Sequence, residues 1–182
     1  TEIFTPFVCG AFTKLYSKDD VEAAFAEGKV VFFAGGTGHP YFSTDTGVVL
    51  RAIEVEAETI LLAKSIDGVY DSDPAKNPNA HKYDEVSIQE VIDKNLQVVD
   101  MTASILARDN KMPMWVFGLN EENSIVNNVN LTVFISLIRN NTYMLIFTEN
   151  YNITRLPFFN FIYISCKRNI RKQLCSRPTR RQ

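Results

Sequence analysis

The chain has 182 residues, 46% hydrophobic and 22% charged, a composition of the soluble globular class and a length for one domain with a real core, or one domain plus a tail. No run approaches the roughly 18 apolar residues of a membrane span, and no basic segment with an apolar core opens the sequence, so a cytoplasmic protein is expected. The formal charge of −2 hides an asymmetry: Thr1 to Val129 holds ten Lys/Arg against twenty Asp/Glu, net −10, whereas Asn130 to Gln182 holds nine against one, net +8.

In chain order, Ser17 is placed to cap a helix over Lys18–Glu27, with Val21, Ala24 and Phe25 on one face and Gly28 as its stop. Val30 to Phe33 is a short continuous run of β-formers, as expected of a strand buried on both faces of a parallel sheet. A glycine-rich stretch from Ala34 to Gly38 interrupts it. Thr44 or Asp45 is then positioned to cap a helix carrying Val48, Val49, Ala52, Ile53 and Val55 to about Ala57, which leads into a second buried strand from Thr59 to Lys64. A strand, loop, helix and strand in this order predict neighbouring or near-neighbouring parallel strands. Asp67-Gly68 and Asp73-Pro74 mark turns in a long polar loop. Ser87 with Glu90 opens a helix to about Lys94, a further helix covers roughly Thr102–Asn110, Met114 to Phe117 is a strand, and Ser124 is placed to cap a short last helix. The pattern predicts an α/β domain over residues 1–129, three-layer α/β/α with a mostly parallel sheet.

Residues 130–182 read differently. They contain no Gly or Asp and show neither strand alternation nor a helical period. A basic tail can be a nucleic-acid arm, but Phe134, Phe147, Phe158, Phe159 and Phe161 are bulkier than such an arm carries. A poorly ordered segment foreign to the domain, such as a shifted reading frame, is the expectation, and a nucleic-acid partner is not. Cys9, Cys166 and Cys175 match neither a metal knuckle nor a disulfide framework.

Two segments stand beyond strand ends, where open parallel sheets bind ligands. In Gly35 to Asp45 the glycines let backbone approach a ligand, amides and hydroxyls can donate to phosphate oxygens, and the following helix N-terminus favours an anion. The stretch is neither a GxGxxG fingerprint nor a Walker loop. In Lys64 to Pro74, a lysine can meet phosphate, a tyrosine can cover a base and a carboxylate can receive ribose or amine hydrogen bonds. Asp71 and Asp73 have a calcium-like spacing, but the glycine and closing glutamate of an EF-hand loop are missing. Tight turns remain the alternative reading of these segments, and helix capping that of Asp45 and of Asp100, which precedes a later helix.

The run GGTGHPYFSTDT, then LRAIEVEAETILLAKSIDGVYDSDPAKNPNAHKYDEVS, then LQVVDMTASILARDNKMPMWVFGLN, resembles the C-terminal half of bacterial-type UMP kinases with the amino-acid-kinase fold, over about residues 11–129. The resemblance implies transfer of the γ-phosphoryl group of ATP to UMP, with Mg2+ entering as the ATP complex and no metal ligand among the protein side chains. It implies that Thr37, Gly38, His39, Pro40, Tyr41, Phe42, Ser43 and Thr44 line the UMP site, and that Lys64, Tyr70 and Asp73 line the ATP site. Asp45 matches an aspartate that organises a phosphate-binding lysine, and Asp100 is a further catalytic candidate. His39 stands where the family often carries Asn. The family also starts with a lysine-bearing glycine loop and a GGGN-type loop, for which the ten residues before Ala11 leave no room. A poor or inactive isolated kinase is therefore expected, with an exposed sheet edge, apolar faces and no secure basis for the family's hexamer. A noncatalytic nucleotide-binding or assembly module is the competing expectation.

Overall fold

A computed structural model describes residues 1–96, 98–120 and 122–124, together with the backbone of two strands farther along. The first strands are β1 (Glu2–Thr5) and β2 (Lys14–Leu15), followed by helix α1 (Lys18–Ala26). Ser17 caps α1 by accepting from the Asp20 amide, and Gly28 follows at φ +73°, a left-handed conformation that suits glycine. Next come β3 (Val31–Ala34), α2 (Thr44–Glu54) and β4 (Thr59–Lys64). A small antiparallel pair, β5 (Val69–Tyr70) and β6 (Lys82–Tyr83), stands in the polar loop. Then follow α3 (Ile88–Asp93), capped by Ser87, α4 (Met101–Asp109), capped by Asp100, and β7 (Met114–Gly118). The expected helix after Ser124 lies outside the described residues.

Two strands, β8 (Thr142–Phe147) and β9 (Ile162–Lys167), arise from the basic tail. They join the main sheet, whose order among the described residues is β2-β1-β3-β9-β8-β4-β7. Residues 130–182 are expected to show no strand alternation, yet these two runs pair as strands; the rest of that segment lies outside the described residues. The reason for the pairing is legible afterwards. β8 carries Tyr143, Leu145, Ile146 and Phe147, and β9 carries Ile162, Tyr163 and Ile164, residue types that favour strands.

β1 pairs in parallel with β2 and β3, and β4 pairs in parallel with β7 and β8; only β9 runs against its neighbours. The sheet is thus mostly parallel, as expected. The β3 and β4 strands run the same way with β9 and β8 between them, so they are near neighbours rather than adjacent. Because they are parallel, the loops after Ala34 and after Lys64 leave the sheet at one rim.

The core is divided by the pleat of β4. Ile60 and Leu62 face Val21, Phe25, Phe33, Val48, Val49, Ala52, Ala103 and Ala107, so α1, α2 and α4 share that face of the sheet. Leu61 and Ala63 face the other way and meet Phe117 in a second buried cluster. Arg51 lies over the Tyr16 ring, its guanidinium carbon 3.6 Å from the ring centre, and pairs with Glu54. Burial of Tyr16 raises its hydroxyl to about 12, with the Glu54 carboxylate adding to that effect. Phe7, Val8, Phe12 and Leu15 are exposed at and beside the short strand β2, and Trp115 is exposed on β7 at the other end of the strand order. Among the described residues no helix is long and apolar enough to cross a membrane.

Candidate functional site

The loop between β3 and α2 is held in shape by its glycines and by what lies beneath them. Gly35, Gly36 and Gly38 all have positive φ, at +91°, +59° and +77°. A methyl group at Gly38 would come within 2.8 Å of Pro6 Cβ, and one at Gly35 within 3.1 Å of the same ring. The segment after β1 therefore buttresses the loop from below. On the other side, a Cβ at Gly47 in the first turn of α2 would stand 3.2 Å from the Gly36 carbonyl carbon, so the helix start and the loop backbone are in direct contact. The Thr37 hydroxyl accepts from the His39 amide at 3.2 Å and closes a tight turn. Beyond it Tyr41, at φ +70°, and Phe42 project into solvent.

The cap of α2 is Ser43, which corrects the expectation of Thr44 or Asp45. Ser43 has extended backbone and its Oγ accepts from the Thr46 amide at 3.2 Å. Asp45 sits inside the first turn with its carboxylate turned to Lys64 at the end of β4, Nζ to Oδ2 3.3 Å, and both side chains are mostly buried. The ammonium of Lys64 also donates to the Val98 carbonyl. One cation thus joins the glycine loop's helix to the strand end opposite it.

Asp100 is held more tightly than any other carboxylate at this rim. It caps α4 by accepting from the Ala103 amide at 3.0 Å, and it receives hydrogen bonds from the Ser43 hydroxyl and, at 3.1 and 3.2 Å, from the Thr46 hydroxyl. Burial alone would raise its pKa, but these donors outweigh it and the carboxyl ends below its ordinary value. As a fully engaged acceptor it has a structural occupation that the sequence assigned only in part.

The second bend forms the other wall. The Tyr70 hydroxyl donates to Asp67 at 2.8 Å, and Lys82 pairs with the same carboxylate at 2.7 Å. Lys82 and then Tyr70 lower the Asp67 carboxyl, and Asp67 in turn raises the Tyr70 phenol. Asp73 folds its own turn by accepting from the Ala75 amide at 3.0 Å. Tyr70, Asp71, Asp73, Lys76, Lys94 and Asn95 line a cleft of about 380 Å³, and Val98, whose carbonyl receives Lys64, lines it too. His81 donates its amide to Asp71 and stacks edge-on with Tyr83, 5.8 Å between ring centres, in keeping with a loop residue rather than a general base.

The candidate residues thus fall into a loop wall (Thr37 to Thr44), a central pair (Asp45 with Lys64) and a cleft wall (Tyr70 and Asp73). Thr46, the Val98 carbonyl and the Pro6 buttress were not foreseen. Thr46 belongs to a run of hydroxyls and Asp100 precedes a helix, but a contact spanning 54 residues leaves no local trace. Among the described residues no group of three or more His, Cys, Asp or Glu converges as a metal cage.

Residues 9–118 match the amino acid kinase family. Among solved structures, the chain is similar to the UMP kinase from Ureaplasma parvum at 36% identity and a TM-score of 0.69, over 72% of this chain and 56% of that one. It is similar to the UMP kinase from Bacillus anthracis at 34% identity and a TM-score of 0.68, over 72% and 54%. The uridylate kinase from Archaeoglobus fulgidus follows at 25% identity and a TM-score of 0.53, over 68% and 56%. The chain spans a little over half the length of these structures.

Proposed function

The chain belongs to the amino acid kinase family, and on that premise we propose that it carries the nucleotide-handling part of a UMP kinase, which moves the γ-phosphoryl group of ATP onto UMP to give UDP. The observation that carries this reading is the contact between Lys64 and Asp45, because it brings the two bends that could each hold a nucleotide against a single cation at one rim of the sheet.

Phosphoryl transfer through a loose transition state asks little covalent chemistry of a protein. It asks for two nucleotides in line and for positive charge where the oxygens gather negative charge. In this reading the UMP phosphate lies on the backbone of the Gly35–Gly38 turn and on the N-terminus of α2, where the helix dipole favours an anion. Thr37 and Thr44 offer hydroxyls to it, Ser43, whose hydroxyl is donated to Asp100, borders it through its backbone, and Tyr41 and Phe42 stand at the exposed lip where a base can stack. ATP occupies the cleft bounded by Tyr70 and Asp73, and Lys64, oriented by Asp45 and the Val98 carbonyl, points its charge at the phosphates between the two. Magnesium enters with ATP and neutralises oxygens of its phosphates; Asp45 is engaged with Lys64 and Asp100 with two hydroxyls and an amide, so the donor set suits an ion carried by the nucleotide rather than by a protein cage.

The test is a thermal-shift titration of the purified chain with UMP, ATP and Mg2+, followed by a UDP-formation assay. The expected result is stabilisation that grows with UMP concentration. Stabilisation by both nucleotides without UDP formation supports the noncatalytic module instead. Stabilisation by glutamate or aspartate in place of UMP overturns the reading and points to acyl-phosphate chemistry.

A further inference from the structure

The segment from Val98 to Asp100 touches both walls of the candidate site with groups two residues apart. The Val98 carbonyl accepts from Lys64, at the end of β4. The Asp100 carboxylate accepts from the hydroxyls of Ser43 and Thr46, at the start of α2, while capping α4 through the Ala103 amide. The Asp100 carbonyl accepts from the Ser104 hydroxyl at 3.1 Å, which fixes the backbone of the same residue. One carboxylate therefore sits between the N-termini of two helices, and a carboxylate accepting several donors in a part-buried place is far more directional than an exposed one.

We propose that Asp100 is a positioning residue for the acceptor nucleotide: it clasps the N-terminus of α2 to that of α4 and so holds the Ser43–Thr46 turn, and the loop packed on Gly47, at a fixed distance from Lys64. It touches no reacting atom in this arrangement. The part it plays rests on the UMP kinase reading, but the clasp itself does not. Removing the clasp leaves Ser43 and Thr46 with rotatable hydroxyls and frees the turn that would receive the UMP phosphate, whereas the Tyr70–Asp73 cleft meets this segment at Val98, which is held by Lys64 and not by the clasp.

Two substitutions separate this role from simple helix capping. Asp100→Asn keeps an acceptor for the Ala103 amide, because Asn caps as well as Asp, but it replaces the charged partner of the two hydroxyls. Thr46→Val removes one of those hydroxyls with little change of shape. Calorimetry on the full chain is expected to show each variant binding UMP about tenfold more weakly, the scale of one charge-assisted hydrogen bond, with ATP affinity within about twofold of the parent. The double variant is expected to lose no more than Asp100→Asn alone, since the charged partner of the Thr46 hydroxyl is already gone in that variant. Equal losses for UMP and ATP, unchanged UMP affinity in Asp100→Asn, or a double variant equal to the product of the singles each overturns the proposal.

If the parent chain binds no UMP, the functional reading fails and amide hydrogen exchange decides the clasp alone. Asp100→Asn is then expected to speed exchange at Thr46 and Gly47, whose amides bond to Ser43, by about tenfold or more while Ala103 stays protected. Unchanged exchange at Thr46 and Gly47 overturns it.

Discussion

Gly38→Ala isolates the fit of the glycine loop on its buttress. Two costs combine at this position. The backbone has φ +77°, and holding an L-residue there costs about 1–2 kcal/mol. The added methyl also meets Pro6 Cβ at 2.8 Å and Cγ at 2.9 Å, atoms of a rigid ring that cannot swing aside, and overpacking of this kind costs about 1–3 kcal/mol. Gly36→Ala supplies the control, since its φ of +59° carries the first cost while nothing lies within 4 Å of the new methyl. Urea denaturation of both variants is expected to show Gly38→Ala less stable than Gly36→Ala by the overpacking share, which at a typical slope moves the midpoint by about 1 M. Pro6→Gly removes both clashing atoms, so adding it to Gly38→Ala is expected to restore most of that difference beyond additivity. A Gly38→Ala midpoint equal to or above that of Gly36→Ala would refute the claim that Pro6 supports the loop.

The core and the surface charges give two further expectations. Leu62→Ala, at a fully buried position on the helix-covered face of β4, is expected to cost about 2–5 kcal/mol in the same denaturation experiment, and a loss below 1 kcal/mol would show that face to be loosely filled. Glu2 bonds Lys14 and Lys29 at 2.7 and 2.6 Å, and these bonds hold its carboxyl at about 2 against an ordinary 4.5. The folded chain therefore gives up that proton more readily than the unfolded one, so the stability Glu2 lends is present above about pH 4.5 and disappears as pH falls toward 2. Glu2→Gln is expected to be less stable than the parent at pH 6 and level with it at pH 2; a gap that is the same at both values would place the effect outside ionisation.

What the sequence revealed and what it withheld divide along the range of the interactions. Ser17, Ser87 and Asp100 cap helices through amides three residues on, and β4 is bounded by the residues expected, because capping and short apolar runs are decided within one turn of chain. The cap of α2 was misjudged among three adjacent residues that can all serve. Ser43 took it because Asp45 has a stronger partner in Lys64, 19 residues away, and the sequence alone does not order that competition. In the tail, β8 and β9 hold β-forming residues without alternation, so period alone did not mark them. At the rim, placement beyond strand ends pointed to Gly35–Asp45 and Lys64–Pro74, yet the contacts that tie these segments down come from a carbonyl at Val98, a ring at Pro6 and a hydroxyl at Thr46. Such parts carry no signature because almost any residue can offer a carbonyl and many can offer a hydroxyl. Their value depends on where the chain returns. A reading of chemistry from sequence will therefore find the groups that meet a ligand sooner than those that space them, and at this rim the spacing falls to the less conspicuous residues.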